Sequence, residues 1–139
     1  MDKAKKDLFL IPTVAPTEMP TPTLPIPFSA DRLFQLVNDW RVKEGYQPYI
    51  ESEFACNVAS KRLPEVEVNW SHEGFYYGRF CKDCWLAENL ADSIQYYSEE
   101  HTLSSWLKSA SHAANLKTPY THSCIECSSG YCVHIFSYF

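Results

Sequence analysis

An α+β domain with a small antiparallel sheet is what the order of patterns along this chain predicts. Helical periodicities come first, a strand-forming hairpin closes the chain, and no βαβ alternation lies between them. A length of 139 residues leaves room for one ordinary domain. Hydrophobic residues make up 45% of the chain and aromatic residues 15%, enough apolar side chains to pack a core.

Residues 1–28 stand apart. They carry six of the nine prolines, from Pro12 to Pro27, interleaved with Thr13, Thr17, Thr21 and Thr23. Proline fixes φ and removes amide donors, so this stretch reads as an extended, polyproline-like linker, either a stalk tethering a domain to a membrane or cell wall or a disordered tail. The domain is expected over 29–139.

Leu33, Leu36, Val37 and Trp40 recur at i, i+3, i+4 and i+7, which predicts a first amphipathic helix capped by Ser29 and stopped at Gly45. Pro48-Tyr49-Ile50 reads as a short extended connection. Ser52 caps a second helix with Phe54, Ala55, Val58 and Ala59 inward and Pro64 beyond its end. Glu65 to Trp70 alternates with period two and reads as a short strand. Residues 73–84 are an irregular loop rich in aromatics, with Phe75, Tyr76 and Tyr77 as packing residues or the lining of a cleft. Thr102 is expected to cap a helix running through Trp106 to about Ala114, with Glu99 and Glu100 solvated ahead of it. Tyr131 to Phe136 is rich in strand formers and follows the turn residues Ser128-Ser129-Gly130.

The chemistry-bearing residues come in a definite order. His72 lies in Trp-Ser-His-Glu-Gly, Glu88-Asn89-Leu90 follows, and Trp106-x-x-Ser109-x-x-His112 comes last. On a continuous helix Trp106, Ser109 and Ala113 would share a ridge, with His112 about 60° round from Ser109. Together these motifs resemble the pattern of the CAP superfamily, the cysteine-rich secretory, antigen 5 and pathogenesis-related proteins, and in particular its compact bacterial, SCP-like branch. The resemblance covers about residues 30–139, and Asn38 and Arg41 match the family's opening helix. Ala87 stands where the family usually has glycine, Ala110-Ser111 where it has Pro-Gly, and Ser109 where many eukaryotic members have a second glutamate.

The resemblance implies an α-β-α sandwich, with Trp85 to Ala91 as a strand and Glu65 to Trp70 as a loop. It also implies a central cleft holding His72, Glu88, Ser109 and His112. Two imidazoles and a carboxylate, His72, His112 and Glu88, can hold Zn²⁺ or another divalent metal with an open position. Bound water there would be acidified, the minimum for a metal-dependent hydrolase. A nucleophilic triad of Ser109, His112 and Glu88 is disfavoured, since no nucleophile-elbow pattern is present. His101, His122 and His134 match no motif position and read as solvated or strand residues.

Six cysteines, Cys56, Cys81, Cys84, Cys124, Cys127 and Cys132, offer two alternatives. Outside the cell, where the resemblance points, they form disulfides; in a reducing compartment Cys81-x-x-Cys84 and Cys124-x-x-Cys127 would form a four-thiolate zinc site. A formal charge of −5 with no basic run beyond Lys3 to Lys6 argues against nucleic acid. No apolar run is long enough to span a bilayer, and Leu8-Phe9-Leu10-Ile11 is too short for a signal-peptide core. The expectation is an extracellular or surface-displayed domain that binds a lipid, cell-wall component or protein in its His/Glu cleft. The alternatives are a hydrolase using the same cluster and a purely structural interaction module on a stalk.

Overall fold

The computed structural model describes residues 27–139. The expected linker falls almost wholly outside them. Four helices and a four-stranded sheet follow in the order α1 (Ala30–Lys43), β1 (Ile50–Glu51), α2 (Glu53–Val68), β2 (Ala87–Asp92), α3 (Glu99–Lys108), α4 (Ala110–Lys117), β3 (His122–Cys127) and β4 (Tyr131–Ser137). A 3-10 turn, Ile94–Tyr96, links β2 to α3.

Local chemistry starts the first two helices as expected, although the second runs on through Pro64, which was expected beyond its end. Ser29 Oγ accepts from Arg32 N–H at 3.1 Å, and Ser52 Oγ accepts from Ala55 N–H at 3.1 Å, each taking up an amide that the first turn leaves open. Gly45, at φ 90°, ends the first helix in a conformation that costs a side-chain-bearing residue dearly.

The sheet order is β1-β3-β4-β2, antiparallel except for a two-residue parallel rung of β1 on β3. Period-two alternation divides its side chains. Ala87, Ile125, Cys132 and Phe136 join Leu33 and Val37 of α1, Trp106 of α3 and Leu116 of α4 in one core. Leu90, Cys124, Val133 and Ile135 pack with Ala55, Val58, Ala59 and Val66 of α2 in the other. Helices therefore cover both faces, and the α-β-α sandwich holds.

Three expectations need correction. Glu65 to Trp70 is not a strand: α2 continues through Pro64 to Val68. Ala55, Val58, Ala59, Arg62 and Val66 are buried at helical spacing, while Val68, apolar in the alternating pattern, is 91% exposed. The alternation belonged to no buried face. Thr102 is not a cap either. Ser98 caps α3 one turn earlier, its Oγ accepting from His101 N–H at 3.1 Å, and Thr102 is buried with its hydroxyl donating back to the Ser98 carbonyl at 3.3 Å. Glu99, expected in solvent, is buried and accepts from Ser29 N–H at 2.9 Å, tying α3 to the start of α1.

The cysteines pair as Cys56–Cys124, Cys81–Cys84 and Cys127–Cys132, leaving none free. The four-thiolate zinc alternative is thereby overturned, because Cys124 is bonded to α2 and Cys127 to the facing strand. Cys127–Cys132 crosses the terminal hairpin.

Candidate functional site

The site is built around β2, an edge strand whose three motif residues each reach a different element. Glu88 turns its side chain to the α2 face, where it meets Arg62. Asn89 points the other way, its side-chain amide donating to the His112 carbonyl at 3.1 Å and its Oδ1 accepting from Asn115 at 2.8 Å. The Leu90 carbonyl accepts from the Trp106 indole N–H at 2.9 Å. One short strand thus anchors α2, α3 and α4 by polar contacts.

On the α2 face the Glu88 carboxylate is almost wholly buried. Arg62 grips it in two bonds, Nε to Oε2 at 2.7 Å and Nη2 to Oε1 at 3.0 Å, and His72 Nδ1 lies 2.9 Å from Oε1. Arg62 reaches outward as well, donating to Glu65 Oε1 at 2.8 Å and to the Ser71 carbonyl at 3.0 Å. Arg79 closes the chain with two further bonds to Glu65, at 2.7 and 2.6 Å. Burial alone would lower the Arg62 pKa, but its bonds to Glu88 and Glu65 outweigh that and raise it. The bonds from Arg79 and then Arg62 hold Glu65 down to about 2. The result is a run of alternating charges, Glu88, Arg62, Glu65 and Arg79, with His72, whose side chain remains 55% exposed, resting on its Glu88 end.

Arg62 was not foreseen. Its position between Ala59 and Val66 on the inward face of α2 was the available signal, since an arginine there must bring a carboxylate with it.

The other half of the site lies on α3 and α4. The single helix expected from Trp106 to Ala114 breaks at Ser109, which sits at φ −93° and ψ 122°, and α4 starts afresh at Ala110. The shared ridge of Trp106, Ser109 and Ala113 is therefore not formed. The break leaves Ser109 and His112 on the wall of a groove of about 360 Å³, shared with Trp70, Leu90, Tyr97, Ser105 and Trp106. Burial, then the charge of nearby His72, holds His112 below the usual histidine range. Ser109 Oγ lies 3.4 Å from Ser111 Oγ and has no hydrogen bond to an imidazole.

The predicted residues are thus arranged as two groups. His72 and Glu88 are in direct contact, while Ser109 and His112 line the groove, where His112 is near enough to His72 to feel its charge. Among the described residues, the one trio of His, Cys, Asp or Glu donors with all atoms within 4.8 Å is Glu51, Cys56 and Cys124, where the two sulfurs are bonded to each other. His101 is exposed on α3 and stacks on Tyr97 at 4.2 Å, whereas His134 is wholly buried in β4.

No protein-family model matches the chain, and no curated protein matches it. Solved structures do. A cysteine-rich secretory protein from Staphylococcus aureus superposes with a TM-score of 0.63 at 17% identity, over 79% of this chain and 38% of that one. An extracellular protein containing an SCP domain, from Bacillus anthracis, superposes with a TM-score of 0.65 at 19% identity, over 78% and 39%. The chain has the SCP-domain fold. An outer surface protein of Borrelia burgdorferi gives a TM-score of 0.62 at 17% identity, over 77% of this chain and 90% of its own. The chain spans less than two-fifths of the length of the first two proteins. At these identities the likeness is one of SCP fold, and the groove is understood from this chain's own residues.

Proposed function

We propose that this SCP domain works outside the cell or on its surface and binds a ligand in the groove beside His112. One observation carries the reading: the groove sets the aromatic faces of Trp70, Tyr97 and Trp106 beside Ser105, Ser109 and His112, so apolar and hydrogen-bonding surfaces share one concavity. Three disulfides with no free thiol support an oxidising location. So do the secretory, extracellular and outer-surface descriptions of the structural neighbours. A serine nucleophile is disfavoured because the Ser109 hydroxyl meets Ser111 and has no hydrogen bond to an imidazole.

Glu88 serves in this reading as the group that fixes His72, because Arg62 already takes both of its oxygens. It does not fit as a third metal ligand. His72 and His112 are the residues that would hold a divalent ion, which when bound would supply Lewis acidity.

The test is an amide-shift titration of the full chain with three probes: a short-chain phospholipid below its micelle concentration, an N-acetylglucosamine oligomer and an unstructured peptide. One of them is expected to shift Trp70, Tyr97, Ser109 and His112, and His112→Ala to weaken that binding about tenfold or more. Shifts confined to another surface, no response to any probe, or unchanged binding by His112→Ala would sink the proposal. Zn²⁺ titrated alone should move the His72 and His112 ring signals together.

A further inference from the structure

The three disulfides differ in what they close. Cys56–Cys124 joins α2 to β3 across 68 residues, and Cys127–Cys132 ties β3 to β4; Cys124 and Cys132 are fully buried. Cys81–Cys84 closes only a Cys-Lys-Asp-Cys ring in the irregular segment between α2 and β2, and both of its residues are partly exposed. A disulfide's effect on the unfolded chain shrinks with the loop it closes, so this bond contributes least to folding.

It lies instead in the wall of a cavity. Phe75, Tyr76, Tyr77, Phe80 and Trp85 enclose about 210 Å³ together with Cys81 and Cys84. Gly78, at φ 87°, turns the chain so that Phe80 returns to within 6.0 Å of Phe75, ring centre to ring centre. Tyr77 and Trp85 lie 5.0 Å apart on the same rim. Tyr76, Tyr77 and Trp85 remain 62%, 59% and 69% exposed, a cluster of large rings that folding alone leaves unexplained.

We propose that Cys81–Cys84 is a thiol–disulfide exchange centre for a protein or peptide dithiol, with the aromatic cavity holding an apolar side chain beside the partner's cysteine. Two-residue spacing keeps either sulfur in reach of a mixed disulfide formed on the other. A partner thiolate attacks one sulfur of the pair. The Cys81–Cys84 bond breaks, and its electron pair leaves on the second cysteine, which takes up a proton. The partner's other thiol then loses its proton and attacks the mixed disulfide, releasing the first cysteine. The partner gives up two electrons and two protons to become a disulfide, and Cys81 and Cys84 receive both as thiols. Lys82 within the ring favours the departing thiolate, and Asp83 beside it limits that effect. This centre is separate from the groove at His112 and stands or falls independently of it.

The full chain should be equilibrated in a graded series of reduced and oxidised dithiothreitol, its thiols trapped by alkylation, and each cysteine peptide weighed. Cys81 and Cys84 are expected to become alkylable at a reduced-to-oxidised ratio about tenfold or more below that needed for the other four cysteines. A reduced dithiol peptide with Phe beside its cysteine should be oxidised about tenfold faster than the same peptide with Gly there, and Trp85→Ala should bring that ratio toward one. Opening of Cys81–Cys84 only together with the other pairs, or equal rates for the two peptides in the unaltered chain, would overturn the proposal.

Discussion

The fold buries two arginines, one in each helical layer, and partners them in opposite ways. Arg41 of α1 is 2% exposed and gives its protons only to neutral oxygens: the Gln47 carbonyl at 2.7 Å, the Tyr49 hydroxyl at 2.9 Å and the Leu116 carbonyl at 2.6 Å. Its guanidinium also lies 3.9 Å from the centre of the Tyr49 ring. Arg62 of α2 is 1% exposed and is held chiefly by carboxylates. Burial lowers the pKa of Arg41, with Tyr49 only partly offsetting it, whereas at Arg62 the carboxylates reverse the same burial effect. The contrast separates a lock from a conduit. Arg41 closes the C-terminal carbonyls of α4 onto the loop after α1 and leads nowhere; Arg62 joins buried Glu88, which itself touches His72, to Glu65 nearer the surface.

The comparison can be broken most directly at Arg62. Arg62→Ala removes both arginine bonds from the buried Glu88 carboxylate, leaving it only His72, and should cost about 3–5 kcal/mol in urea unfolding, while Arg62→Met with Glu88→Leu should recover most of that. A loss below about 1 kcal/mol for the single change would show that the pair is not buried in solution.

The two layers should also separate by pH. On the Arg41 side, His134 sits between Tyr49, Trp106 and Phe136 with neither ring nitrogen bonded, and burial followed by the charge of Arg41 pushes its pKa down to about 3. The unfolded chain binds that proton first, so stability is lost as pH falls from about 6.5 toward 3, by roughly 5 kcal/mol in full. On the Arg62 side, Glu65 has a folded pKa of about 2, so its stabilisation is present above the ordinary carboxylate range and is lost as pH falls toward 2. His134→Leu should flatten the acid limb between pH 6 and about 4.5 while leaving the lower one. An unchanged upper limb would mean that His134 is charged or hydrated in the folded state.

Smaller effects sharpen the contrast. Arg41→Ala orphans carbonyls but no charge, and should cost about 2–3 kcal/mol, less than its counterpart. Trp106→Phe keeps the ring in the core and loses the bond to the Leu90 carbonyl, for about 1 kcal/mol by thermal unfolding. Arg32→Ala breaks an exposed pair with Glu100 and should stay within about 1 kcal/mol, a baseline for both.

What the sequence disclosed follows from how far each signal reaches. Ser29, Ser52 and Gly45 act on amides within their own turn, and each was placed correctly. The strand-forming run at Tyr131 and the order of the His, Glu-Asn-Leu and Trp-x-x-Ser-x-x-His motifs were likewise readable, and with them the sandwich. Arg62 was hidden because its partner Glu88 lies 26 residues away and no local pattern ties them. The break at Ser109 was hidden because Trp106 and Ala113 are both buried, as one unbroken helix would also have them. Alternation at Glu65 misled because period two appears by chance in a short polar stretch, and the tertiary demand on Arg62 and Val66 decided the helix.

The strand order has a consequence for how the molecule can be made. β1 and β2 form the rims of the sheet, while its two middle strands, β3 and β4, come after both in the chain. A chain emerging from its N-terminus therefore presents both rims with nothing to join them, and Cys56 must wait for Cys124 while Cys81 and Cys84 arrive much sooner. Completion of the sheet therefore waits on the β3–β4 hairpin, whose contacts with both rims are distant in sequence.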